Sequence, residues 1–164
     1  MEPFPIKGKI TMEKSMSFTQ EEAIKYSVVD CCTRSEWKIG GEVKVNYYSK
    51  FYKIPDIIKQ LKLAKVKVKT LVVFNDPGHG WLKVKKSELI KLGIADKISS
   101  CSYVRGEDVF LEEDMDASTY INAIKELYNN KVKFLYNSYY GNKQSRIRNY
   151  ECYLYVVEGN RKLT

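Results

Sequence analysis

Between Phe74 and Asp116 the chain reads FNDPGHGWLKVKKSELIKLGIADKISSCSYVRGEDVFLEEDMD, and no other stretch restricts the fold as tightly. Asn75-Asp76-Pro77-Gly78-His79-Gly80 is turn chemistry. Proline presets φ, the two glycines admit positive φ, and Asp76 can hydrogen-bond its own backbone two residues on. The turn joins a strand ending at Phe74 to a short strand over Trp81 to Val84. Ser87 then predicts an N-cap, Glu88 suits a first helical turn, and Gly93 stands where a left-handed C-cap belongs. Asp96 to Ser100 leads into a strand through Tyr103, and Arg105-Gly106-Glu107-Asp108 turns it back into Val109 to Leu111 as a hairpin.

Upstream, Pro3, Pro5 and Gly8 precede a weak alternation through Ile10 and Met12, which fits a short edge strand or an arm. Two overlapping capping boxes, Ser17 to Gln20 and Thr19 to Glu22, open an amphipathic helix over 19–32. Gly40-Gly41 is a two-residue hairpin signal followed by a strand over 42–49. Pro55 sits at a favoured first-turn position, with Ile57, Ile58 and Leu61 on one face of a helix over 55–63. From Val66 to Phe74 the pattern becomes a strong strand, with Lys65, Lys67 and Lys69 on its other face. Downstream, Asp116 or Asp114 caps a helix over 117–129 that turns Tyr120, Ile121, Ile124 and Leu127 or Tyr128 inward. Strands follow over 132–139 and 150–157, joined through Gly141-Asn142.

The expected fold class is α+β: an antiparallel, hairpin-rich sheet with one main helix packed on it, preceded by a small helix–strand–helix extension. The expected division is an extension over 1–64 and a core domain over 65–164. A chain of 164 residues, 44% of them hydrophobic and 13 of them tyrosine, has enough apolar matter for a real core and does not read as disordered. No run of eighteen apolar residues spans a membrane, and the first residues lack a signal-peptide pattern, so the expected compartment is the cytosol. The four cysteines form no C-x-x-C pair and are expected to be reduced, buried thiols acting as small hydrophobes.

With 28 basic against 20 acidic residues the net charge is +8, which favours anionic partners. Lys143, Arg146 and Arg148 lie among Tyr139, Tyr140 and Tyr150. That interleaving suits nucleic acid, with cations on phosphates and tyrosine rings stacking on bases. Lys65, Lys67 and Lys69 could track a phosphate backbone in the same way, or could guard a solvated edge strand. An acidic protein surface would also satisfy the arginines.

His79, the only histidine, and Asp76 in the same turn mark a second, smaller candidate site. Glu112, Glu113, Asp114 and Asp116 read as the charged start of a helix, where negative charge is stabilising. They lack EF-hand spacing, so neither a metal nor any other cofactor is expected. With no nucleophile assigned to His79, no catalytic residue is expected either.

The strings DPGHGW (76–81), LGIADKIS (92–99), SYVRG (102–106), LEEDMDAS (111–118) and SRIRNYE (145–151) resemble an uncharacterised family of small proteins found on bacteriophages and other mobile elements. The resemblance covers roughly 66–153 and implies a setting, such as blocking host defence or regulating genes. A more local likeness joins LKVKKSELIKLGIADKI to the hairpin ending Val109-Phe110-Leu111. It is similar to the swapped-hairpin transition-state regulators, which are dimeric DNA-binding proteins. Leu82, Val84, Leu89, Leu92, Gly93, Ile94, Val109 and Leu111 carry that pattern, while Lys85 replaces its usual proline and its helix arginine is missing.

Together these features lead to the expectation of a non-enzymatic binding protein of a phage or mobile element, acting on nucleic acid or a host nucleoprotein complex. An anti-CRISPR-like inhibitor of host defence is one form of it, and a homodimer is among the expectations. Two alternatives stand beside it: a sponge or sensor for a phosphorylated nucleotide, and a small hydrolase using His79 with the 112–116 acidic cluster.

Overall fold

The computed structural model describes residues 10–18, 34–39, 42–48 and 54–155. Among them nine strands form one sheet: β1 (Ile10–Phe18), β2 (Arg34–Ile39), β3 (Glu42–Tyr48), β4 (Lys67–Asn75), β5 (Gly80–Lys85), β6 (Tyr103–Arg105), β7 (Asp108–Glu112), β8 (Val132–Gly141) and β9 (Glu151–Cys152). Their order across the sheet is β2-β3-β1-β8-β4-β5-β7-β6-β9. Helices α1 (Ile54–Leu63), α2 (Lys86–Lys91) and α3 (Ala117–Leu127) accompany it, with 3-10 turns at Ala95–Lys97 and Arg146–Asn149. The fold class is therefore α+β, as the sequence predicts. The helix expected over 19–32 lies outside the described residues.

The sheet is mixed rather than wholly antiparallel. β4 and β8 run parallel from Lys67 opposite Val132 to Asn75 opposite Tyr140, and every other pair is antiparallel. Parallel neighbours need a long crossover, and the 76–131 segment, with its hairpin and α3, supplies it. β1, expected as an edge or an arm, is an interior strand: it pairs with β3 on one side and β8 on the other. The hairpins read from turn residues hold, with Ile39 opposite Glu42 and Arg105 opposite Asp108.

Strand alternation sends successive side chains to opposite faces. On one face Leu71, Leu82, Val84, Val109, Leu111, Val132 and Phe134 pack against Tyr120, Ile121 and Ile124 of α3, with Leu89 of α2 and Tyr153 completing the core. On the other face Phe74, Trp81, Phe110 and Ile147 form an aromatic cluster bordered by Tyr103, Tyr139 and Tyr150. Beside it, Leu61 of α1 packs on Met16, with Val68 and Leu135 against them.

Several local expectations shift. Ser87 does not cap α2: the helix begins straight after β5, with Lys85 in the cap position, and the Lys86 amide donates to the Glu107 carbonyl of the neighbouring hairpin. Gly93 does end it in the left-handed region, at φ 66°. Asp96 to Ser100 does lead into a strand, β6, which starts at Tyr103; ahead of it a 3-10 turn carries Ala95 into the core. α3 stops at Leu127, before Asn129 and Asn130, both of which take positive φ. Of the strand expected over 150–157, residues 156–157 lie outside the described residues. Within the rest β9 covers Glu151–Cys152, after which the Tyr153 amide and hydroxyl turn to the Ser102 and Ala95 carbonyls. Cys152, like Cys101, is exposed rather than buried.

Candidate functional site at one end of the sheet

Three of the strings singled out in the sequence meet where β4 ends, β5 begins and β7 ends. The 76–79 turn is built around the Asp76 carboxylate, whose side chain is 0% exposed. Its Oδ1 accepts from the Gly78 and His79 amides at 2.9 and 3.0 Å. Arg148 grips it in bidentate fashion, Nε to Oδ2 and Nη2 to Oδ1, both at 2.8 Å. The Ser145 amide adds a fourth residue to the clamp at 2.9 Å. The Arg148 guanidinium, followed by these amides, overrides burial and holds the Asp76 carboxyl far below the usual carboxylate range. A side-chain carbon at Gly78 would lie 3.1 Å from Arg148 Nη2, so any larger residue there would push the guanidinium by a few tenths of an ångström. The guanidinium also lies over the Trp81 ring, 5.4 Å from its centroid, a cation–π arrangement.

The clamp presents His79 on the surface, 47% exposed, with Nδ1 3.5 Å from Oε1 of Glu112. Glu112 is itself fixed: its Oε2 accepts from the Asp114 and Met115 amides, each at 2.9 Å, and its own amide donates to Ser102 Oγ. The Glu113 amide donates to the Gly80 carbonyl at 3.1 Å. The Glu113 carboxylate folds back over Gly80, where any side-chain carbon would collide with its Oε2 and crowd Asn75 Oδ1. Partial desolvation, then the adjacent Asp114 charge, push the Glu113 carboxyl upward. His79, Glu112 and Glu113 thus offer one nitrogen and two oxygens, all within 4.8 Å of one another.

Asp116 belongs to a different device. It occupies the N-cap position of α3 without capping it through its side chain. Instead its carboxylate accepts from the Ser99 amide, Ser99 Oγ (2.7 Å) and Ser102 Oγ (2.5 Å). The acidic run is therefore divided: Glu112 and Glu113 face His79, while Asp116 staples the 99–102 segment to α3. Ser102 is fully buried and bound to Asp116, so it offers His79 no nucleophile.

The other expected residues are not gathered into one patch. Lys143 and Arg146 are exposed beside the clamp, on the segment that Asp76 anchors through Ser145 and Arg148. Tyr139 is half-buried and stacked on Phe74 at 5.2 Å and 16°. Tyr150 packs on Phe110 and carries the Arg105 guanidinium over its ring at 5.2 Å. Tyr140 is half-buried at the end of β8. Lys65 is exposed in the turn after α1, and Lys67 is exposed at the start of β4. Lys69 reaches Glu88 at 2.5 Å and lies over the Tyr120 ring of α3. The two β4 lysines thus share the α3 side of the sheet, opposite Tyr139, by strand alternation.

Sequence reasoning missed Asn75 and Trp81, whose Nδ2 and Nε1 atoms are buried without a hydrogen-bond partner among the described residues. It also missed that Gly80 makes room for Glu113. The one signal for that was a small residue directly after His79. No helix among the described residues is long and apolar enough to cross a membrane. No protein-family model, curated protein or solved structure matches this chain.

Proposed function

We propose that this protein is a non-enzymatic binding protein of a phage or mobile element that acts on nucleic acid or a host nucleoprotein complex, in the manner of an anti-CRISPR-like inhibitor of host defence. The observation that carries the reading is the state of the 143–148 segment. Lys143 and Arg146 project into solvent and, among the described residues, neither has a carboxylate partner, while Asp76 holds the backbone beneath them. A cation on an anchored segment loses less conformational freedom on binding than one on a loose loop. The net charge of +8 supports the same reading, since it draws polyanions by long-range attraction. Tyr139 and Tyr150 act here as packing for the surface that carries the cations.

Fluorescence anisotropy with labelled single- and double-stranded DNA and RNA, over a series of salt concentrations, tests it. The expected result is salt-sensitive binding that Lys143→Ala/Arg146→Ala weakens uniformly across sequences. If no nucleic acid binds, the same double variant should lose capture of a nucleoprotein complex from host lysate. Failure of both ends the reading. The hydrolase reading is second, favoured by the 3.5 Å contact between His79 and Glu112. A phosphoester or peptide hydrolysis that His79→Ala abolishes would establish it in place of the first.

A further inference from the structure

We propose that His79, Glu112 and Glu113 form an open binding site for one first-row divalent transition-metal ion of the manganese, iron, cobalt or zinc class. The donors come from two separate elements, the 76–79 turn and the end of β7, and converge within 4.8 Å. The 3.5 Å between His79 Nδ1 and Glu112 Oε1 is close to the edge of a tetrahedron of ligands about 2.1 Å from a central ion, which is about 3.4 Å. Glu113, exposed just past the end of β7, brings a carboxylate oxygen within 4.8 Å of both.

Charge makes the case stronger. Glu112, Glu113 and Asp114 are consecutive, and the Arg148 guanidinium that grips the neighbouring turn has Nε and Nη2 committed to Asp76. The imidazole is the one basic group these carboxylates meet at the site among the described residues. A structural ion-pair network would place a lysine or arginine there; a cation site leaves the position open. The donors are also aimed in advance. Glu112 spends Oε2 on two backbone amides and turns Oε1 to His79, and the Asp76 clamp fixes the turn that carries the imidazole. Second-layer bonds of this sort are what orient metal ligands. Gly80 completes the arrangement by letting Glu113 lie over the strand, beside Asn75, whose Nδ2 is buried without a partner.

Donor type selects the metal. One imidazole with two carboxylates suits borderline ions, whereas calcium asks for six to eight oxygens and copper(I) for sulfur. Three protein donors leave at least one coordination position to solvent or to a ligand.

The test uses the full chain, stripped with chelator and titrated with Mn²⁺, Co²⁺ and Zn²⁺ by calorimetry, with the visible absorption of Co²⁺ as an independent report of nitrogen and oxygen ligation. One ion per chain is expected, with Ca²⁺ and Mg²⁺ binding more weakly. His79→Ala and Glu113→Gln should each weaken affinity by at least about tenfold. Both positions are exposed, and circular dichroism checks that the variants fold. No binding at millimolar metal, or an affinity that neither substitution moves, would overturn the site. The titration contains no nucleic acid, so its outcome is independent of the binding function proposed above.

Discussion

The two faces of the sheet are held together by different physics. The face under α3 is mainly aliphatic: Leu111, Val109 and Leu89 are wholly buried there, and Tyr120, Phe134 and Tyr153 share the core. The Lys69–Glu88 pair lies at its edge, and its strength is chiefly area removed from water. The opposite face is aromatic and cationic. Arg148 lies over Trp81, Lys83 over Phe110 and Arg105 over Tyr150. Asp76 anchors Arg148, and Asp108 anchors Lys83 at 2.7 Å together with Lys85 at 2.6 Å. Non-directional burial specifies the α3 face, whereas directional charge pairs fix the position of each side chain on the other. The candidate site stands at the end of the directional face, where geometry matters to the ångström.

The contrast can be broken most forcefully from the aliphatic side. Leu111→Ala should cost about 2–5 kcal/mol in denaturant unfolding, through lost burial and the cavity left behind. Its effect should not change with salt. A salt-dependent cost would mean that the two faces are coupled.

Next comes the clamp. Arg148→Ala leaves a buried carboxylate without its cation and should cost about 3 kcal/mol, the low end for a broken buried pair because the guanidinium is partly exposed. Adding Asp76→Asn to that variant should recover part of the loss, since the uncompensated charge is gone. If the double variant is no more stable than the single one, the pair does not act as a charge clamp.

Acid titration sharpens the same comparison. Asp76 is held low by Arg148 and its amide partners, and Asp108 is held low because Lys83 and Lys85 outweigh its burial. A depressed folded pKa adds stability that is complete above the ordinary carboxylate value of about 4 and is lost as pH falls through the folded value. Glu113 works in the opposite sense: its raised carboxyl favours the folded state below the unfolded pKa, and that gain disappears as pH rises through the folded value. Unfolding free energy should therefore drop as pH falls below about 4, and Asp76→Asn should flatten the drop. An unchanged acid limb in that variant would remove Asp76 from the account.

The smallest effect is on a single ring. Arg105→Ala should cost about 0.5–1 kcal/mol, the value of an exposed cation–π contact, read from thermal melting. A much larger loss would show that Arg105 supports more than the Tyr150 ring.

How far the sequence could be read follows the same division. Turn chemistry acts over a few residues, so the 75–80 turn, the Arg105–Asp108 hairpin and the left-handed Gly93 were all legible. Periodicity likewise marked α1, α3 and the inward set Tyr120, Ile121 and Ile124. What escaped depends on distant partners. Ile10 opposite Gly141, the parallel β4–β8 pair and the Arg148–Asp76 clamp leave no local trace, because topology sets them. Asp116 is the clearest instance: as a residue before a helix it reads as a cap, yet Ser99 and Ser102 claim its carboxylate. The site was half visible. His79 and the acidic run were noticed and joined in the hydrolase alternative, but which carboxylates of the run reach the imidazole, Glu112 and Glu113 rather than Asp116, was not legible.

The measurement that bears most directly on the binding function is the salt dependence of nucleic-acid affinity for the unmodified chain and for Lys143→Ala/Arg146→Ala. Each phosphate contact contributes about 0.9 to the slope of log affinity against log salt on duplex DNA. Two anchored cations on phosphates predict a slope shallower by about 2 in the double variant. Identical slopes, or affinity indifferent to salt in the unmodified chain, would contradict the account.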